Sequence, residues 1–185
     1  MPRTKKLTLK KISPKKNITK KNTVHLEIER KFLMRRLPVE LLKKRKHEII
    51  DIKQYYFEID GKWQRFRIAT DKKGTKYIHT IKKSISLGVY EEDEKLIAKN
   101  DFTKIFSQHK KNYRVIDKTR YVIKHQGLKF EIDEYKNLSV VVLEVELPKI
   151  SFCFQYPKGL EEEIIYELTG IKQFSNLSLA LKYNK

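Results

Sequence analysis

From residue 24 onward, charged and apolar side chains alternate along one segment after another, and the charges come in like-signed pairs two residues apart. The acidic pairs are Glu27/Glu29, Glu92/Glu94, Glu131/Asp133 and Glu144/Glu146. The basic pairs are Arg65/Arg67 and Lys118/Arg120, with single lysines at Lys31 and Lys82. A period of two is the mark of a strand, whose successive side chains point to opposite faces. Ile28, Phe66, Thr119, Ile132 and Val145 therefore lie opposite the charges. One such pair reads as a solvated strand face. Repeated strand after strand, the pairs argue for charged faces turned toward one another around a lumen. Unpaired charge in a dry core is expensive, so such a lumen has to be wet.

The segments between turns give the fold class. Asp60-Gly61, Asp71 to Gly74 and Gln126-Gly127 are turn sequences. They separate predicted strands at 24–33, 52–59, 62–70, 75–83, 89–94, 113–125, 128–135 and 140–147, with a loop at 84–88. Short helices are predicted at 38–47, behind an Asp101 N-cap, at 159–169 up to Gly170, and at 177–183. Strands dominate and are mostly hairpin-linked. The expectation is a mainly β, α+β chain whose eight strands form an antiparallel barrel or strongly curved sheet, with helices packed on its apolar outside.

Composition narrows the functions. The single cysteine, Cys153, excludes a disulfide scaffold and a multi-cysteine zinc site. Flanked by Phe152 and Phe154, it reads as a small buried apolar residue. The five histidines show no metal spacing, and His79 is expected to point away from the charged face. Trp63 reads as an aromatic at the barrel end, with stacking on a substrate base as the sharper alternative. No apolar run approaches the ~20 residues of a membrane span, and Met1 to Lys21 lacks the apolar stretch of a secretory signal, so no membrane partner is expected and a cytoplasmic location is.

Net charge is +19, but nine of the 42 Lys and Arg residues sit in residues 1–22, which hold no acid. That segment is expected to be a disordered tail suited to nucleic-acid contact or a nuclear address. The remaining 33 basic residues against 23 acids still favour an anionic partner.

The spacing has a chemical reading as well. Residues i and i+2 on one strand face lie ~7 Å apart. Two carboxylates at that distance repel unless a cation lies between them, and a hard divalent cation with oxygen ligands serves. Two cations at that distance grip a polyanion, the Arg fork and the Lys point charge both suiting phosphate oxygens.

The segment Leu26-Glu27-Ile28-Glu29-Arg30-Lys31-Phe32-Leu33 carries Glu-x-Glu-x-Lys, which resembles the signature of the CYTH domain, the triphosphate tunnel metalloenzymes. The resemblance continues in order through Arg65-Phe66-Arg67, Thr80-Ile81-Lys82, Glu92-Asp93-Glu94, Lys118-Thr119-Arg120-Tyr121, Phe130-Glu131-Ile132-Asp133, Leu143-Glu144-Val145-Glu146-Leu147 and Ser175-Asn176-Leu177-Ser178-Leu179-Ala180. It covers about residues 24–182, within a domain drawn at 23–185. It implies an eight-stranded triphosphate tunnel and Mg2+- or Mn2+-dependent chemistry on a triphosphate-containing small molecule. It implies metal ligation by Glu27, Glu29 and Glu146, and phosphate binding by Lys31, Arg65, Arg67, Lys82, Lys118 and Arg120. Glu92, Glu94, Glu131, Asp133 and Glu144 are left as catalytic acids, for a second metal or for orienting water. Tyr90-Glu91 stands where members often carry a basic residue, and Glu163-Ile164-Ile165 where they often read Glu-Val-Thr. Hydrolysis of inorganic triphosphate is the first expectation. An adenylate cyclase, an RNA 5′-triphosphatase and a non-catalytic polyphosphate or RNA binder are the alternatives. The assembly is expected to be a monomer or homodimer.

Overall fold

Two hairpins show how the turns set the register. Asp60 and Gly61 have φ of 51° and 69°, and Gln126 and Gly127 have 49° and 78°. Positive φ at both central residues matches the right-handed twist of the flanking strands. The first turn joins β2 (Glu48–Ile59) to β3 (Lys62–Asp71), and the second joins β6 (Tyr113–His125) to β7 (Leu128–Tyr135). The other strands are β1 (His25–Met34), β4 (Gly74–Ser86), β5 (Val89–Ile97), β8 (Val141–Glu146) and β9 (Ile164–Glu167). This computed structural model describes residues 25–183. The basic segment 1–22 and the boundary at residue 23 lie outside them.

The sheet runs β5-β4-β3-β2-β6-β7-β8-β1, and β1 pairs back onto β5, so eight antiparallel strands close a barrel. The ninth strand joins only the far half of β1. The described residues also form three α-helices: α1 (Val39–Lys44), α2 (Lys99–His109) and α3 (Asn176–Tyr183). Among the described residues, no helix is long and apolar enough to cross a membrane.

Alternation sends the apolar residues outward, where two layers cover them. Phe32, Met34, Ile123, Phe130, Ile132, Leu143 and Val145 are buried under Leu42 of α1 and Leu160 of the C-terminal stretch. Phe57 and Phe66 are buried under Phe102 of α2. The third helix has a different place. Its Leu179 and Ala180 pack against Tyr56, Ile116, Tyr135 and Val142, which share strand faces with the charged residues, so α3 closes one end of the barrel. Ser175 starts it by accepting a hydrogen bond from the Ser178 backbone N–H (3.1 Å), and the Tyr135 hydroxyl ties it down through Asn176 Oδ1 (2.5 Å).

Four expectations need correction. The predicted helix at 159–169 is a 3-10 turn at Glu161–Glu163 followed by β9. Ile164, Ile165 and Tyr166 are strand formers, and the half of β1 that does not pair with β5 offers them an edge. Asp101 is not an N-cap: α2 starts at Lys99 behind Ala98, and Asp101 lies in its first turn, where an acid still favours the helix dipole. The loop predicted from Ser84 begins later, since β4 runs on to Ser86 across a register shift. Cys153 is exposed rather than buried, because the chain there alternates and Phe154 takes the inward place against Phe130.

The seam of the barrel lies at Glu29 to Lys31, where β1 leaves β5 for the C-terminal segment. The Glu29 N–H donates to the Gly88 carbonyl (2.9 Å), the Lys31 N–H to Thr169 Oγ1 (3.1 Å), and the Leu168 N–H to the Lys31 carbonyl (2.7 Å). Gly88 has φ of 67°, and a Cβ there would stand 2.7 Å from the Glu29 carbonyl oxygen and 2.8 Å from Thr169 Cγ2. Gly88→Ala is therefore expected to cost about 2–3 kcal/mol, lowering the melting temperature by roughly 5–10 °C. A thermal melt unchanged within a degree would remove Gly88 from the seam.

Candidate functional site: a charged tunnel

The inward strand faces enclose a cavity of about 700 Å³. Twelve of the fourteen expected site residues line it. They are Glu27, Glu29 and Lys31 from β1; Arg65 and Arg67 from β3; Lys82 from β4; Glu92 and Glu94 from β5; Arg120 from β6; Glu131 from β7; and Glu144 and Glu146 from β8. The other two, Lys118 and Asp133, are fully buried behind this surface as an ion pair. Strand alternation puts them on the same face, but they sit deeper, toward the end that α3 closes.

The acidic pairs do not face one another across empty space. Lys82 Nζ lies 2.5 Å from Glu27, 3.1 Å from Glu29 and 3.6 Å from Glu92, with the Tyr90 ring centroid 4.1 Å away. Arg65 reaches Glu92 at 2.5 Å and Glu94 at 3.6 Å. Arg120 holds both oxygens of Asp133 (2.6 and 2.7 Å), bonds Glu131, and reaches Glu144 at 2.8 Å. Lys31 meets Glu144 at 2.8 Å. For every one of these acids but Glu146, neutralisation, read from the sequence as calling for a divalent cation, is here met by the protein's own lysines and arginines. Sequence spacing could not show this, because these pairs form across strands.

Two side chains stand outside the pairing. Arg67 has no carboxylate at ion-pair distance among the described residues, and its single side-chain bond is a long one to Gln54 Oε1 (3.5 Å). Its Nε and that of Arg65 are buried without a hydrogen-bond partner. Burial, and then the charges of Arg65 and Arg120, push the Arg67 guanidinium down to about 10. Glu146 is the second, with no ion pair or side-chain hydrogen bond among the described residues. It lies directly opposite Glu29 in the β1–β8 register.

The electrostatics separate two walls. Glu27 and Glu29 titrate above the usual carboxylate range, both chiefly through burial; Glu92 adds to this for Glu27, and Glu144 for Glu29. Burial would also raise Asp133 and Glu144, but Arg120, Lys118 and, for Glu144, Lys31 hold both below it. Arg120 thus ties Glu131 and Asp133 of β7 and Glu144 of β8 into one ion-pair network, though burial keeps Glu131 above the usual carboxylate range, while Glu27 and Glu29 of β1 share the single ammonium of Lys82. Asp133→Asn should leave Lys118 and Arg120 underpartnered in a buried place and cost about 2 kcal/mol of stability. Chemical denaturation measures this, and an unchanged midpoint would mean the wall does not rest on Asp133.

Sequence reasoning missed the contribution of β2. Gln54 donates to the Tyr56 hydroxyl (2.5 Å), and Tyr56 lines the cavity. Thr80 and Tyr90, named in the resemblance, were given no site role. Thr80 is fully buried, and its Oγ1 accepts from Arg65 (3.2 Å). Trp63 lines the cavity with Leu168, Ile171 and Leu177, giving it one apolar side. His79 points outward, stacked on Phe66 at 4.4 Å. Among the described residues no three acidic, histidine or cysteine side chains converge on a common metal position.

No protein-family model matches the chain, and no curated protein matches it. Solved structures do. The inorganic triphosphatase NE1496 is 26% identical, matches 84% of this chain and 94% of its own, and superposes with a TM-score of 0.53. The PH1819 protein from Pyrococcus horikoshii OT3, 17% identical over 84% of this chain and 98% of its own, gives a TM-score of 0.60. At that identity the second likeness speaks for the fold alone. A closed eight-stranded barrel with charged inward faces and an inorganic triphosphatase among its structural neighbours is the triphosphate-tunnel fold.

Proposed function

We propose that the protein is a CYTH-type, divalent-metal-dependent triphosphatase whose substrate, inorganic triphosphate or a related organic triphosphate, lies in the tunnel. The observation that carries this reading is Arg67: a buried guanidinium, facing a cavity, without an anion of the protein's own. Its free Nε and that of Arg65 offer donors to phosphate oxygens. The likeness to an inorganic triphosphatase supports the same substrate chemistry.

The donor chemistry suits a hard cation, though the three carboxylates do not converge on one position among the described residues. Glu27, Glu29 and Glu146 supply hard oxygens, the first two share one lysine, and the third has no ion pair among the described residues. These three would hold Mg2+ or Mn2+, which would supply charge neutralisation at a phosphate oxygen and a more acidic water. The chain's own part is electrostatic. Arg65, Arg67 and Arg120 face one cavity and would spread their charge over the phosphate oxygens as it builds during in-line attack. Lys31, within reach of Glu144, is placed to exchange that partner for phosphate. The sequestered acids Glu131 and Glu144 keep Arg120 in position.

A second reading has an observation of its own. Trp63, Leu168, Ile171 and Leu177 give the cavity an apolar side for which an inorganic polyanion has no use. That favours an organic triphosphate, either hydrolysed or, in a cyclase, attacked by its own 3′ hydroxyl. Phosphate and pyrophosphate release from inorganic triphosphate, ATP, thiamine triphosphate and 5′-triphosphorylated RNA, each with Mg2+ and with Mn2+, tests both readings. Phosphate release that vanishes on chelation is expected. Pyrophosphate release from ATP alone would favour the cyclase, and release from no substrate would sink the enzyme reading.

A further inference from the structure

We infer that Lys82 occupies the divalent-metal position when no metal is bound, so that metal and polyphosphate bind cooperatively through the departure of one lysine ammonium. The inference rests on the metal-dependent reading above and adds an order to it. Lys82 comes from β4, on the opposite side of β5 from β1, yet its Nζ reaches between Glu27 (2.5 Å) and Glu29 (3.1 Å), two of the three carboxylates assigned to the metal. Its other contacts are Glu92 at 3.6 Å and the Tyr90 ring at 4.1 Å. An ammonium there does for the carboxylates what a metal would, with one charge instead of two.

This also accounts for the lack of convergence of the acids. Glu27 and Glu29 close on Lys82, and Glu146, which stands opposite Glu29, is left without a partner. A metal alone has to displace the ammonium into a cavity where the nearest other cations repel it. A bound polyphosphate offers the ammonium a new anionic partner, so each ligand lowers the cost of the other. By linkage the coupling acts equally in both directions. Tyr90 belongs to the device, because its ring holds the ammonium on the carboxylate side.

The test is Mn2+ binding to the full chain without turnover, read from the loss of free Mn2+ signal in electron paramagnetic resonance. Titrations are made with and without a tripolyphosphate whose bridging oxygens are methylene groups. In the wild type the analogue is expected to tighten Mn2+ at least tenfold. Lys82→Met should bind Mn2+ alone at least tenfold tighter than wild type and lose most of that coupling, while Lys82→Arg should keep wild-type behaviour. Tyr90→Leu, which retains the charge but frees the ammonium, should tighten Mn2+ alone roughly threefold and keeps the test decisive if Lys82→Met does not fold. Mn2+ affinity no tighter in Lys82→Met and Tyr90→Leu than in wild type overturns the inference, including the case in which none of them binds. If wild type still hydrolyses triphosphate with metal in that case, only the Lys82 inference has failed. Absence of hydrolysis on every substrate is the separate failure of the enzyme reading.

Discussion

Glu29→Gln or Glu146→Gln is expected to cut triphosphate turnover by roughly a thousandfold or more, about 4 kcal/mol of lost transition-state stabilisation, while the barrel stays folded. The two halves of this result have separate causes. Neither carboxylate holds the fold together. Burial already makes ionised Glu29 unfavourable, Lys82 keeps Glu27 and Glu92 without it, and Glu146 has no ion pair to lose. The amide fills the same space. What the substitution removes is a charged oxygen donor, and a neutral amide is a weak replacement toward a hard cation. Steady-state turnover with Mg2+ beside a thermal melt decides the matter. A variant at wild-type rate would take that residue out of the metal set. A melting temperature lowered by ten degrees or more would mean that the carboxylate is structural, the role expected of Asp133.

The contrast between Glu146 and Asp133 marks how far the sequence could be read. Both belong to acidic i, i+2 pairs on alternating strands, and alternation correctly sends both inward. Depth along the barrel is a different coordinate. It depends on which end α3 closes, and a short apolar segment such as Leu177 to Leu181 does not announce that it will enter a barrel mouth. The ion pairs depend on strand register as well: Arg120 stands opposite Asp133 because β6 and β7 share a two-residue turn, whereas Lys82 meets Glu27 only because the sheet closes. Gln54 and Tyr56 escaped notice since β2 carries no like-charged pair, although their alternation with Tyr55 and Phe57 was visible. β9 could not be read locally, because its strand state comes from the open half of β1 rather than from its own four residues.

Arg67 offers the sharpest opposition between stability and function. Arg67→Met should lower triphosphate turnover by roughly a hundredfold or more, about 3 kcal/mol, and at the same time raise stability by about 1 kcal/mol. Burial, and then the charges of Arg65 and Arg120, push the guanidinium down to about 10, so it is still charged at neutral pH and that charge is destabilising while no anion is bound. Methionine fills similar length without desolvating a cation. Arg67→Lys separates charge from shape. It keeps the cation but loses the fork and its free Nε, so a turnover loss of about tenfold is expected, with stability close to that of wild type. The two-sided outcome distinguishes a phosphate clamp from a wall residue. A wall residue paired with carboxylates, like Arg120, would lose stability on conversion to methionine. If Arg67→Met melts below wild type and retains its turnover, Arg67 is structural, and the described residues offer no unpaired tunnel cation with which to receive a polyphosphate.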